Sequence, residues 1–241
     1  MKTTAIVLAA GQGKRMGSDV AKQYLLLHDR PVLYYTLRSF EESPVDEIIL
    51  VTGEEQSTYC KKEIVEKFGF QKVKKIVAGG RERYHSVAKG LEAAQCDYVL
   101  IHDGARPFVT SDMIKRGIEA VQQYDACIMG MPVKDTIKIS DEEGFAADTP
   151  NRNLVWQIQT PQIFSFQLIK GVYEELILKE EELKAKGIAV TDDAMVVELF
   201  SGKKVKLVEG SYDNIKLTTP DDLKIAEAFL ENYDLGKPEI I

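Results

Sequence analysis

Short apolar runs recur along the chain, each followed by a stretch whose apolar residues fall three and four positions apart. The runs at 4–8, 47–52, 73–77, 97–101, 126–131 and 204–208 have the length of buried strands. Two shorter pieces, 23–27 and 31–33, flank a turn at His28, Asp29 and Arg30. The stretches at 34–42, 57–68, 82–94, 111–123, 165–186, 191–200 and 220–233 read as helices. Val87, Leu91 and Ala94 share one face of the third, and Ser111 is expected to cap the fourth. Asp192 and Asp193 follow Thr191 at the start of the sixth, where carboxylates satisfy free N–H groups. Strands alternating with helices predict an α/β chain, Rossmann-like and doubly wound around a mostly parallel sheet.

The pattern breaks from 132 to 162, where helical periodicity is lost and Pro132, Pro150 and Pro161 intervene. A long non-helical insertion in a compact α/β chain serves function or an interface. The expectation is therefore a single domain over 1–233, an extended β-arm for dimerisation at about 133–161, and a frayed tail at 234–241.

Composition narrows the classes. A length of 241 residues suits one sizeable core. No apolar run reaches transmembrane length, and the first strand begins without a signal-peptide pattern. The net charge of −7 supplies no global field for nucleic acid or a membrane surface, so any polyanionic ligand must be held by local cations. Cys60, Cys96 and Cys127 are scattered and lack a C-x-x-C pairing, which argues against a disulfide framework or a zinc site and for a reducing, cytoplasmic setting.

Chemistry concentrates in four turns. The first strand empties into Ala9, Ala10, Gly11 and Gly13, small residues that let backbone N–H groups approach an anion, with Lys14 and Arg15 at once behind them. The dinucleotide fingerprint fails because Met16 stands where its last glycine belongs. The P-loop fails because Arg15 replaces the Ser or Thr after Gly-Lys. The other three turns are Gly79-Gly80-Arg81-Glu82-Arg83 through Ser86, His102-Asp103-Gly104-Ala105-Arg106-Pro107, and the segment from Gly210 through Lys216 to Pro220. In open α/β sheets ligands bind outside the carboxyl ends of strands, where these turns fall. A lone carboxylate there, Asp103, suits a Mg²⁺ shared with substrate phosphates. His102 by itself reads as a hydrogen-bonded structural residue.

In order along the chain stand L-A-A-G-Q-G-K-R-M-G, K-Q, G-G-R-E-R-Y-H-S-V, H-D-G-A-R-P, P-V-K-D-T-I-K, Q-T-P-Q, T-D-D-A and V-E-G-S-Y-D-N-I-K-L-T-T-P-D-D-L. The first resembles the signature of sugar-phosphate nucleotidyltransferases. The series closely resembles the 2-C-methyl-D-erythritol 4-phosphate cytidylyltransferases of the non-mevalonate isoprenoid pathway, across nearly the whole chain. The ribitol 5-phosphate cytidylyltransferases share much of it, but H-D-G-A-R-P and P-V-K-D-T-I-K are more similar to the former. A nucleotide-binding module without catalysis is the alternative of another class, disfavoured by Arg15 and Lys22. Two departures stand out: Ala21 where those enzymes commonly have Pro, and Arg81 where an acidic residue often follows the glycine pair.

The resemblance implies roles residue by residue. Ala9, Ala10, Gly11 and Gly13 would hold CTP through backbone groups, and Arg15 and Lys22 would stabilise charge on the α-phosphate and leaving pyrophosphate. Gly79, Gly80 and Ser86 would contact cytosine and ribose. Asp103 would touch ribose or Mg²⁺, with Ala105 and Arg106 beside it. Thr136, Arg152 and Thr160 would bind methylerythritol phosphate, and Lys216 would orient its phosphate. The arm is expected to exchange within a homodimer, carrying Arg152 into the partner's site. No general base is needed, because a phosphate monoester with a second pKa of about 6 is already largely ionised at neutral pH.

Overall fold

The computed structural model describes residues 1–11 and 20–232. A seven-stranded sheet is built from β1 (Thr3–Ala9), β2 (Glu47–Thr52), β3 (Val73–Ala78), β4 (Tyr98–Asp103), β5 (Ala126–Pro132), β6 (Trp156–Ser165) and β7 (Lys206–Glu209). Their spatial order is β3-β2-β1-β4-β6-β5-β7. All neighbouring pairs are parallel except those of β6, which runs antiparallel to both β4 and β5.

Residues of adjacent parity on each strand face opposite cores. Ala5 and Val7 of β1 pack toward α1 (Val32–Glu41), α3 (Ser111–Tyr124) and α7 (Pro220–Asn232), through Leu33, Phe40, Ile114 and Leu230. Ile6 packs the other way, with Val87 of α2 (Arg83–Ala93), Ile169 and Tyr173 of α4 (Phe166–Leu178), and Val197 of α6 (Asp193–Ser201). Helices on both faces make the sheet doubly wound, as the alternation predicts. Strand order reverses between β1 and β4, and at such a switch point the crevice at the strands' carboxyl ends is open to ligand.

Four expectations shift. Residues 156–161, assigned to the arm, instead begin β6 at the centre of the sheet. The strand's character is masked because its buried positions include Gln159, Thr160 and Gln162 rather than only apolar residues. The arm proper is the stretch before it, a short ladder of Ile139–Ser140 with Ala146–Asp148 around a turn at Gly144. The helix expected at 165–186 breaks at Lys179 into α4 and α5 (Glu180–Ala185). Thr110, not Ser111, caps α3, its hydroxyl accepting from the Met113 N–H. The helix at 57–68 begins as Ser57–Tyr59 and continues in π geometry over Cys60–Glu66.

Candidate active site

The turn after β1 is held by the residues that follow Lys22. The Gln23 amide donates to the carbonyls of Ala9 (2.6 Å) and Gly11 (2.9 Å), and the Tyr24 hydroxyl donates to Ala9 (3.1 Å). These bonds fix the carbonyls of Ala9 and Gly11, where the turn begins. Gly13 and Arg15 lie outside the described residues.

The turn after β3 meets it directly. A Cβ on Gly79 would stand 2.6 Å from the Ala10 Cβ and 2.7 Å from the Ser86 hydroxyl, so only glycine allows the two turns to touch. The Ser86 hydroxyl accepts from the Gly80 N–H (3.1 Å). Glu82 and His85 close a reciprocal cap on the first turn of α2, which fixes the direction in which Arg83 leaves the helix.

β4 carries the carboxylate. Asp103 is buried, its Oδ2 2.7 Å from the Lys216 ammonium and its Oδ1 3.4 Å from Arg83 Nε. Burial alone would raise its pKa, but Arg83 and Lys216 hold the carboxyl well below the ordinary range. Behind it the Asp103 N–H donates to Thr160 Oγ1 (3.1 Å), and Thr160 Oγ1 lies 3.1 Å from His102 Nδ1. His102 Nε2 lies 3.2 Å from the Arg106 carbonyl. One arrangement satisfies all three contacts: Thr160 donates to Nδ1 and a neutral imidazole donates from Nε2. Burial drives the His102 pKa down to about 4, in agreement with that tautomer. His102 therefore supports the strand end from within the core.

Lys216 is placed by a tight segment of its own. Asn214, fully buried, donates to the Thr160 carbonyl (2.9 Å) and to Gln159 Oε1 (3.2 Å). Arg106 Nη1 donates to the Asn214 carbonyl (2.7 Å), so Arg106 braces the Lys216 segment from the turn after β4.

Two clefts open at these turns. The first, of about 540 Å³, brings together Ala10, Gly11, Lys22, Gly80, Ser86, Asp103, Ala105 and Lys216. Ala9 ends β1 next to the lining residue Ala10, and Gly79 forms the contact between the two glycine turns. The second, of about 320 Å³, is lined by Arg106 and Thr160. Among the described residues Arg83, Asp103 and Lys216 line both, and so form a shared wall. A roomier hollow of about 1060 Å³ backs onto Gly11, but its described charged lining is Glu54 and Glu55, the wrong sign for phosphate. Neither Thr136 nor Arg152 is among the described linings of the two clefts. Both are exposed on the arm, where Arg152 donates to the Lys134 carbonyl (3.0 Å).

Sequence reasoning placed Arg83, which reaches Asp103 through Nε and grips Asp193 with both terminal nitrogens (2.8 and 2.7 Å), in a candidate turn but gave it no role. It also treated Asp192 and Asp193 alike. Asp192 does cap α6, accepting from the Met195 N–H, whereas Asp193 is fully buried and neutralises Arg83. The available signal was a second arginine two places after Arg81, on the helical side of the glycine turn. Among the described residues no group of three His, Cys, Asp or Glu side chains could hold a metal. With Asp103 already paired to two cations, these residues offer a Mg²⁺ one shared carboxylate and no protein cage, so an ion here would be carried mainly by substrate phosphates.

Comparison with known proteins gives a consistent result. The family model described as IspD, 2-C-methyl-D-erythritol 4-phosphate cytidylyltransferase, matches residues 3–232. The chain is 49% identical over 233 residues to the protein of that name from Lachnoclostridium phytofermentans, covering 96% of this chain and 97% of that one. It is 51% identical over 230 residues to the one from Lachnospira eligens, covering 95% and 99%. The crystal structure of 4-diphosphocytidyl-2C-methyl-D-erythritol synthase from Anaerococcus prevotii superposes with a TM-score of 0.82 at 34% identity, over 95% of this chain and 96% of that one. A match that runs from β1 into α7 takes in every turn that builds the two clefts, and the chain belongs to the 2-C-methyl-D-erythritol 4-phosphate cytidylyltransferase family.

Proposed function

We propose that the chain transfers a cytidylyl group from CTP to 2-C-methyl-D-erythritol 4-phosphate, with CTP in the larger cleft and the acceptor in the smaller. The observation that carries this reading is the wall common to both, Arg83, Asp103 and Lys216. A phosphate oxygen of the acceptor attacks the α-phosphorus of CTP. The new O–P bond forms as the bond to the bridging oxygen breaks, and that electron pair leaves with pyrophosphate.

The chain's residues do the work of positioning and charge neutralisation. Ala9, Ala10, Gly11 and Gly13 cradle the triphosphate, and Gly79, Gly80 and Ser86 hold cytosine and ribose, with Ala105 close by. Arg15 and Lys22 meet the charge that develops on the α-phosphate and the leaving group. Lys216 and Arg106 draw the acceptor phosphate to the wall, and Thr160 flanks it. A Mg²⁺ held by Asp103 and the CTP phosphates would neutralise further negative charge.

The arm supplies the remaining contacts. It exposes Ile139, Phe145 and Leu154, apolar side chains that a partner subunit would cover. In that homodimer Thr136 and Arg152 of the partner subunit complete the acceptor cleft. No helix among the described residues is long and apolar enough to cross a membrane, and the free cysteines suit a reducing cytoplasm.

The test is pyrophosphate release with Mg²⁺ and CTP, offering methylerythritol 4-phosphate and ribitol 5-phosphate side by side. Turnover with the first and little with the second supports the reading. Preference for ribitol 5-phosphate, or silence with both, overturns it.

A further inference from the structure

Asp193 lines neither cleft, yet its carboxylate is fully buried and held by three hydrogen bonds. Its Oδ1 accepts from the Tyr173 hydroxyl (2.5 Å) as well as from Arg83. Its own N–H and that of Ala194 donate to Gln162 Oε1 (2.9 Å each), and the Gln162 amide donates to Asp192 (2.9 Å). β6 and α4 thus fix the first turn of α6, and that turn fixes Arg83. An arginine fork and a carboxylate matched on two parallel bonds form a strongly oriented pair. With both terminal nitrogens turned to Asp193, Nε meets Asp103 at a long 3.4 Å, while Lys216 keeps the other oxygen at 2.7 Å.

We infer that Asp193 is a positioning residue, which occupies the Arg83 fork and so keeps the Asp103 carboxylate and its Lys216 partner in register with the reacting phosphates. A fork released at this distance would turn onto Asp103 in the same bidentate geometry, drawing it off Lys216, or would grip a substrate phosphate. Charge counts in the same direction. Arg83, Arg106 and Lys216 stand at the smaller cleft with Asp103 and Asp192 on its lining and Asp193 bound to Arg83, a net charge of zero. Without Asp193 it becomes plus one, which tightens the hold on a bound anion without favouring the transition state. The inference rests on the cytidylyl-transfer reading above.

A double-mutant cycle tests it: Asp193→Asn, Arg83→Gln and the pair together, each with kcat and KM for methylerythritol 4-phosphate and a thermal melt. In the wild-type background Asp193→Asn should lower kcat by about tenfold or more, with KM unchanged or lower. In the Arg83→Gln background the same change should not lower kcat, because no fork remains to be held. Should Asp193→Asn fail to fold, Tyr173→Phe removes a single bond to the same carboxylate and the cycle is run on it, with a smaller loss of about threefold expected. Wild-type kcat in Asp193→Asn, or an equal fall in both backgrounds, overturns the inference and leaves a structural ion pair. A wild-type protein inert with CTP and methylerythritol 4-phosphate is a different result, since it removes the reading beneath the inference.

Discussion

His102 stands one residue before the carboxylate of the site, and its protonation state has consequences for the whole strand end. In the unfolded chain a histidine takes up a proton below about pH 6.5. In the fold burial holds it neutral down to about pH 4. Between those values the unfolded state binds more protons, so stability falls as pH falls, by up to about 3 kcal/mol over the window. Asp103 acts in a lower range: its carboxyl is held below the usual value, and its contribution is lost only below about pH 4. Urea midpoints should therefore drop between pH 7 and pH 5, and His102→Gln should flatten that drop. An unaltered slope would count against the neutral buried imidazole. Lys22 belongs to the same scale. Lys22→Ala should lower kcat far more than CTP affinity, by about 2–4 kcal/mol of barrier, as loss of one charge-stabilising donor does. The same is expected of Arg15→Ala, and wild-type rates in either would refute the roles given to them.

Elements meet at the site through close backbone approaches. The Gly104 N–H donates to the Leu8 carbonyl (2.8 Å), tying the end of β4 to the end of β1. A Cβ at Gly104 would lie 2.9 Å from that same oxygen and 3.0 Å from Leu33 Cδ1. The strand end cannot yield without breaking the bond, so Gly104→Ala should cost about 1–3 kcal/mol and spread the crevice between β1 and β4. Gly171 in α4 has open space within 4 Å of where a methyl would stand and serves as the control: Gly171→Ala should be neutral or gain about 0.5–1 kcal/mol. Equal melting temperatures for the two variants would dismiss the close approach as unimportant. β6 shows why an element can escape pattern reading. Gln159, Thr160 and Gln162 face inward to bond Ser211, Asp103, Asn214, Asp192 and the first turn of α6, so the strand reads as polar although it is buried. Site chemistry had replaced the hydrophobic signal.

At the scale of the molecule, the arm is the feature that a single chain leaves unexplained. Ile139, Phe145 and Leu154 are 50, 68 and 79% exposed, more apolar surface than a short isolated ladder sustains in water. Sedimentation should give a dimer, and mixing Arg152→Ala protein with Lys216→Ala protein should restore turnover. Each mixed dimer then holds one site with both residues intact. A fully active monomer, or no recovery on mixing, would remove Arg152 of the partner subunit from the acceptor cleft.

The alternation of strands and helices, the glycine-rich turn after the first strand and the family were all legible in the sequence alone. Each of these is written locally, in the periodicity of apolar residues, in the steric allowance of glycine, or in motifs of a few adjacent positions. The tertiary structure alone decided that β6 enters the middle of the sheet antiparallel, and that the arm is correspondingly shorter than the break in pattern suggested. It alone joined Arg83 to Asp193, 110 residues away, and set Lys216 against Asp103. A charged residue carries no periodic mark of its partner, because the pairing arises only when loops distant in the chain are brought to one end of the sheet.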